Sequence, residues 1–246
     1  MQISVIAKEI NEWSGSVLIA GILEGTIESQ INSFKTIIKD TYLSQRFNDS
    51  KFEGQKSQKL SIELIEGKIK KIIFVGLGKP ENLQIEDLRK AASIGTREVL
   101  GFERKLGISF PWDAFDSSSA AFAVGEAVRL SSIKDHRFKS EQKESTSIEE
   151  VELIGLDIKA TELAIAEINP ICEGVKFARE LVSAPPNVLT PYQMAKEAEK
   201  LATDYDLDLK ILDKKECQDQ GMGAYLAVAK GSDLDPKFIH LKYSSK

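Results

Sequence analysis

The side chains best suited to chemistry in this 246-residue chain are few and widely spaced. There are two histidines, His136 beside a charged stretch and His240 between Ile239 and Leu241 on a predicted strand. Neither has a second histidine at ligand spacing, and a zinc site needs three or four ligands, so His240 reads as a solvent-facing or satisfied strand residue. Carboxylates are plentiful at Asp204, Asp206, Asp208, Asp213, Asp233 and Asp235. The alternation Asp204, Asp206, Asp208 would set three of them on one side of an extended segment, a geometry that attracts a divalent cation. No glycine turn or terminal Glu completes a calcium loop there, and a solvated loop leading into an amphipathic strand accounts for the same residues. Ser118, Ser119 and Ser183 lack a Gly-x-Ser-x-Gly context, so nucleophilic catalysis has no support. Cys172 and Cys217 lie far apart without Cys-x-x-Cys spacing and read as two reduced thiols, with a structural disulfide as the alternative.

One glycine pattern could hold a ligand. Gly76-Leu-Gly78-Lys79-Pro80 follows a predicted strand, and glycines let backbone N–H groups approach a phosphate closely. The third glycine of a dinucleotide fingerprint is absent, and a strand-to-helix turn ahead of a helix at Ile85 explains the glycines with no ligand. Gly221-Met-Gly223 reads as a tight turn needing positive φ, with Met222 filling an irregular gap.

These residues must be positioned by an α/β layer fold with a mostly parallel sheet, because β-branched runs alternate with amphipathic helical stretches over the first 155 residues. Strands are expected at Ile3 to Ala7, Val17 to Ile22, Lys59 to Leu64, Lys71 to Val75, Leu106 to Phe110 and Val151 to Leu156. Helices are expected at Ile27 to Lys39, Ile85 to Leu100 and Ser118 to Leu130. Gln45 to Ser57 reads as an exposed turn-rich excursion, and His136 to Glu150 as a mobile surface loop. From Ala160 to Leu181 an apolar stripe marks a long helix, interrupted by Pro170. A proline in a helix interior costs about 3 kcal/mol, so a kink or two helices are expected, with the interdomain joint nearby.

The most specific punctuation is Leu181-Val-Ser-Ala-Pro-Pro-Asn-Val-Leu-Thr-Pro191. Pro185 and Pro186 fix φ and remove two donors, which stops the preceding helix. Thr190 and Pro191 start the next one, as N-cap and first helical residue. A helix to about Thr203, a strand Asp208 to Leu212, a short helix Lys214 to Gln220 and strands at Tyr225 to Ala229 and Phe238 to Tyr243 are expected to follow. Such a sheet is incomplete, with an unpaired edge and an uncovered apolar face.

With that punctuation stand Gly174-Val-Lys-Phe-Ala-Arg-Glu-Leu-Val182, Leu207-Asp-Leu-Lys-Ile-Leu-Asp213, Gly221-Met-Gly-Ala-Tyr-Leu-Ala-Val-Ala-Lys-Gly-Ser232 and Pro236-Lys-Phe-Ile-His-Leu-Lys-Tyr243. In this order and spacing they resemble the leucyl (cytosol) aminopeptidase family, from the end of its N-terminal domain into the start of its peptidase domain. The strand Ser16 to Ile22 and Lys71-Ile-Ile-Phe-Val-Gly-Leu-Gly-Lys79 extend the resemblance, more loosely, over residues 1 to 160. The resemblance implies a macro-like N-terminal α/β domain over 1–160, a linking helix region over 161–184 and the first elements of a metallopeptidase domain over 185–246. It also implies a two-metal hydrolase, using manganese or zinc, that releases N-terminal residues from peptides and assembles as a hexamer.

The family's ligand-bearing motifs, Gly-Lys-Gly-x-Thr-Phe-Asp-Ser-Gly-Gly and Asn-Thr-Asp-Ala-Glu-Gly-Arg, do not occur in the chain. Val228-Ala-Lys-Gly231 is a superficial match without the continuation, so Lys230 reads as a surface lysine near a turn. The expectation is therefore that no catalytic or metal-ligating residue can be carried over, that none of the metals binds these 246 residues, and that the chain alone is inactive. The alternative is a noncatalytic macro-like module, which in other proteins binds ADP-ribose, or a regulatory subunit.

With 33 basic and 38 acidic residues the formal charge is -5, which offers no electrostatic footprint for nucleic acid. No run of 18 apolar residues and no basic segment ahead of an apolar one occurs near Met1, so neither a membrane span nor a signal peptide is expected, and a cytoplasmic location follows.

Overall fold

A computed structural model describes residues 1–35, 42–101, 104–140 and 147–244, and the chain divides into two compact units, Met1–Lys176 and Phe177–Lys246. The first is built on a six-stranded sheet: β1 (Gln2–Ile6), β2 (Val17–Leu23), β3 (Lys59–Glu63), β4 (Lys71–Gly78), β5 (Lys105–Ser109) and β6 (Glu150–Ile154). The spatial order is β1-β6-β5-β2-β4-β3, with every neighbouring pair parallel except the edge pair β3/β4. The mixed α/β class with a mostly parallel sheet is the one the alternating pattern implies.

β2 is apolar throughout, and β4 is apolar after Lys71, because both faces are covered. Side chains of β2 and β4 alternate between two cores. Val17, Ile19, Ile73 and Val75 pack on one face with Leu88, Ala92 and Val124 from helices α3 (Ile85–Val99) and α4 (Ser117–Ser132). Leu18, Ala20, Ile72 and Phe74 fill the other, beneath α1 (Ile27–Lys35) and α2 (Leu43–Asp49). There Phe74 meets Phe34 and Phe47 edge-on, at centroid distances of 5.3 and 4.8 Å. Such aromatic contacts contribute about 0.5–1.5 kcal/mol each beyond burial.

Helix starts follow local chemistry. Gln84 and Asp87 form a capping box at α3, and Asp116 accepts from the Ser119 amide at α4. The sequence between Gln45 and Ser57 is exposed at most positions, as expected, but it begins in a helix and is pinned by two buried aromatics. Leu43 and Phe47, one helical turn apart, are buried, so α2 forms, and Phe52 closes over Phe47 at 5.3 Å. The end of the helix expected to reach Lys39, and 141–146 of the expected loop His136 to Glu150, lie outside the described residues.

Helix α5 (Ile158–Ser183) runs unbroken through Pro170, where a break into two helices was one expectation. Pro170 is exposed, while Ala164, Ile168 and Cys172 on the opposite face are buried, and that anchoring outweighs the lost backbone bond. The division between the two units falls within this helix.

The second unit contains α6 (Pro191–Tyr205), β7 (Asp208–Leu212), α7 (Lys214–Asp219), α8 (Gly223–Ala229) and β8 (Phe238–Lys242). Thr190 caps α6 by accepting from the Gln193 amide, with Pro191 at the first helical position. Tyr225 to Ala229, expected as a strand, is helical. The run is too short for its period to be read, and Ala224, Ala227 and Ala229 favour a helix. Tyr225 is half-buried, edge-on to Phe238 at 5.8 Å. β7 and β8 form a two-stranded antiparallel sheet, and large apolar side chains of this unit, Val182, Tyr192, Val228 and Tyr243 among them, are exposed.

Candidate functional site

In an open parallel sheet a ligand is expected in the crevice beyond the carboxyl ends of the strands, where strand order reverses. Here that point lies beside β2, between its neighbours β4 and β5. The chain fills it. A Cβ on Gly21 would come within 2.7 Å of both Leu77 and Phe110, so these side chains already occupy the space above β2. Phe110 packs against Trp112, with ring centroids 5.4 Å apart, and the buried Trp112 indole N–H donates to the Ile154 carbonyl at 2.7 Å. An aromatic plug thus joins the ends of β5, β2 and β6.

The glycine pattern is likewise engaged. β4 continues through Gly76 and Gly78 instead of turning after Val75. The Gly76 amide donates to Gln58 O and the Gly78 amide to Gly54 O, each at 2.8 Å, while the Ser57 amide donates back to Gly76 O at 3.1 Å. A Cβ at Gly76 would collide with the carbonyl oxygen of Gln55, and Gly78 has φ +79. Both glycine amides, the donors a phosphate cradle would need, are bonded to the chain itself. The adjoining cavity, beside Lys56 and Asp87, measures about 70 Å³, far below the roughly 300 Å³ where small-molecule sites begin. Lys56 and Asp87 pair at 2.7 Å across it. Burial raises the Asp87 pKa, but the hydrogen bonds from Lys56 and from the Gln84 amide, with the charges of Lys56 and Lys90, outweigh it and hold the carboxyl below its ordinary value.

The other sequence candidates stand apart. Asp204 lies in α6, Asp206 sits past its end with φ 52, and only Asp208 is in β7, so the three do not alternate along one extended segment. The helix outlasts its expected end at Thr203, which places Asp204 on a helix. His240 is an exposed residue of β8, Lys230 is an exposed residue ending α8, and Cys172 and Cys217 are buried and not disulfide-bonded. Gly221 takes positive φ, as a tight turn requires. Among the described residues no group of three His, Cys, Asp or Glu side chains could hold a metal ion.

Sequence reasoning missed a second feature, a cavity of about 280 Å³ at the opposite edge of the sheet, where β1 and β6 begin. Arg129 of α4 and Glu173 and Lys176 of α5 stand on its wall, with Leu100, Ile133 and Ile148 as apolar lining. Arg129 donates to Met1 O at 2.9 Å and to Glu173 at 3.3 Å, and Lys176 lies 3.8 Å from Glu173. Only the Glu173/Lys176 pair, one helical turn apart, was visible in sequence; Arg129 joins it because α4 and α5 pack together.

Among the described residues no helix is long and apolar enough to cross a membrane. The profile of the cytosol aminopeptidase family's N-terminal domain matches residues 19–142, and that of its catalytic domain matches residues 176–246. A probable cytosol aminopeptidase of Prochlorococcus marinus (strain MIT 9211) is 48% identical over 246 residues, covering 100% of this chain and 50% of that protein. One from Synechococcus sp. (strain CC9311) is 37% identical, covering 99% and 49%. Among solved structures, a mutant of tomato leucine aminopeptidase superposes with a TM-score of 0.82 at 28% identity, over 98% of this chain and 50% of that one. The bottromycin maturation enzyme BotP shares the fold, with a TM-score of 0.69. The chain therefore spans about half the length of the curated relatives it matches, and by its two domain matches it belongs to the cytosol aminopeptidase family.

Proposed function

We propose that this chain is the N-terminal half of a metal-dependent aminopeptidase that releases N-terminal residues, leucine among them, from peptides. The observation that carries the reading is the pair of domain matches in their family order, 19–142 and then 176–246. The second unit supports it: a two-stranded sheet is marginal by itself, and exposed Val182, Tyr192 and Val228 suit the opening of a larger α/β domain. On this reading 1–160 is a macro-like domain, 161–184 the linking helix region and 185–246 the start of the peptidase domain.

The described residues do not form a ligand set for two metal ions. The catalytic and metal-binding residues lie outside these 246, in the polypeptide that carries the family's two ligand motifs, and these residues alone bind none of the metal. There, two manganese or zinc ions would polarise the scissile carbonyl and activate water. A cytoplasmic hexamer completes the proposal, with peptide as substrate and neither nucleic acid nor membrane as partner. The filled crevice above β2 gives the nucleotide-binding alternative no support.

The test begins with the intact mass of the native polypeptide. About twice the 27.3 kDa of this chain is expected, with metal-dependent leucyl-anilide hydrolysis by that species and none by the 246 residues alone. Hydrolysis by the pure 246-residue chain, or a native mass of 27.3 kDa, would overturn the reading.

A further inference from the structure

We propose that the cavity bounded by α4 and α5 is a binding site for a small organic anion, a carboxylate on a short aliphatic body. Its lining is mainly cationic. Arg129, Lys134 and Lys176 stand on it together with Met1, which bears the α-ammonium, and among the described residues Glu173 is the one carboxylate there. That carboxylate is shared, 3.3 Å from Arg129 and 3.8 Å from Lys176. One negative charge between two cations leaves an excess of positive charge even with Lys134 and Met1 set aside, in a chain whose formal charge is -5. Depth sharpens the imbalance. The Glu173 side chain is 51% exposed and the Arg129 side chain 18%, so water screens the carboxylate more than the guanidinium. The cavity therefore holds a positive potential that a bound anion relieves.

Arg129 has donors to offer. Of the five N–H groups of a guanidinium, one goes to Met1 O at 2.9 Å and one to Glu173. The Lys176 contact with Glu173 is longer than a hydrogen bond, so its ammonium can turn to a ligand. A carboxylate matches paired guanidinium donors. Leu100, Ile133 and Ile148 set apolar surface beside these cations, and Ile148 is buried, which favours an anion with a hydrocarbon body over a bare inorganic one. The volume of about 280 Å³ lies just below the roughly 300 Å³ where small-molecule sites begin, so the body must be short. The inference goes beyond the proposed peptidase activity and stands independently of it, since binding is read without turnover.

Two-dimensional amide NMR of the 246-residue chain tests it, with 4-methylpentanoate titrated at constant ionic strength to roughly tens of millimolar, where a millimolar site saturates. Saturable shifts confined to the amides around Arg129, Ile133, Ile148 and Lys176 are expected. 4-Methylpentanamide, a neutral molecule of the same shape, and inorganic phosphate, an anion without hydrocarbon, should each bind about tenfold more weakly or worse. The two exposed charges should act with opposite sign. Lys176→Met should weaken 4-methylpentanoate about two- to fivefold, and Glu173→Gln should tighten it by a similar factor, as expected of one partly exposed charge. Lys176 and Glu173 are 41% and 51% exposed at the side chain, so both variants keep the fold and its dispersed spectrum. Absence of saturable shifts refutes the site. Equal binding of the amide, equal or tighter binding of phosphate, or a Glu173→Gln variant that does not tighten the carboxylate refutes the assigned chemistry.

Discussion

Gly76→Ala puts the account of the glycine pattern at risk. The added methyl would collide with Gln55 O and lie 2.7 Å from the Gly54 carbonyl carbon, all backbone atoms that cannot rotate away. β4 and the 54–58 segment must then separate, breaking the bonds from Gly76 N to Gln58 O, Ser57 N to Gly76 O and Gly78 N to Gly54 O. At about 1 kcal/mol for each net hydrogen bond the loss is about 3 kcal/mol. Gly78→Ala should cost less, about 1–2 kcal/mol, because its φ of +79 is strained for alanine but its Cβ meets only the flexible Lys56 side chain. Both tryptophans, Trp13 and Trp112, belong to the first unit, so tryptophan fluorescence in urea follows that unit alone. With a slope of about 2 kcal/mol per molar, the Gly76→Ala midpoint should fall by about 1.5 M. A change below about 0.5 kcal/mol, or a variant that keeps its stability while an ADP-ribose affinity of the parent disappears, would refute the reasoning and restore the phosphate cradle.

Two further predictions concern α5 and the α3 start. Pro170→Ala should raise stability by about 1–3 kcal/mol, since Pro170 is exposed within a continuous helix and alanine restores the missing donor without disturbing packing; a lower thermal midpoint would contradict it. Lys56→Met should destabilise the first unit by about 1 kcal/mol at neutral pH, a modest figure because Lys56 is 49% exposed. The pH dependence has a definite sign. Asp87 titrates below its ordinary value in the folded chain, so its contribution is fully present above the unfolded pKa of about 4 and is lost as pH falls through the lower folded value. The gap between parent and variant, followed by urea unfolding, should therefore narrow below about pH 4 and stay constant above it.

Much of the fold is legible where local patterns suffice. β2 and β4 announce themselves as unbroken apolar runs because both their faces are covered, and α3, α4 and α6 carry caps at Gln84, Asp116 and Thr190 that act within one turn. Reading fails where the deciding contact is remote. Phe47 looks like part of a polar excursion until Phe74 is placed beneath it. Tyr225 to Ala229 fits strand or helix equally until Phe238 arrives against Tyr225.

The candidate sites divide in the same way. By itself the amino-acid order determined the class of fold, the end of α5 ahead of Pro185 and Pro186, the helix start at Thr190 and the family, because these depend on residues adjacent in the chain. Only the tertiary structure decided that Gly76 and Gly78 serve a strand packed on residues 54–58, that Phe110 and Trp112 close the crevice above β2, and that Arg129 meets Glu173. Those outcomes rest on groups distant in sequence brought within a few ångströms, and no local spacing encodes such an approach.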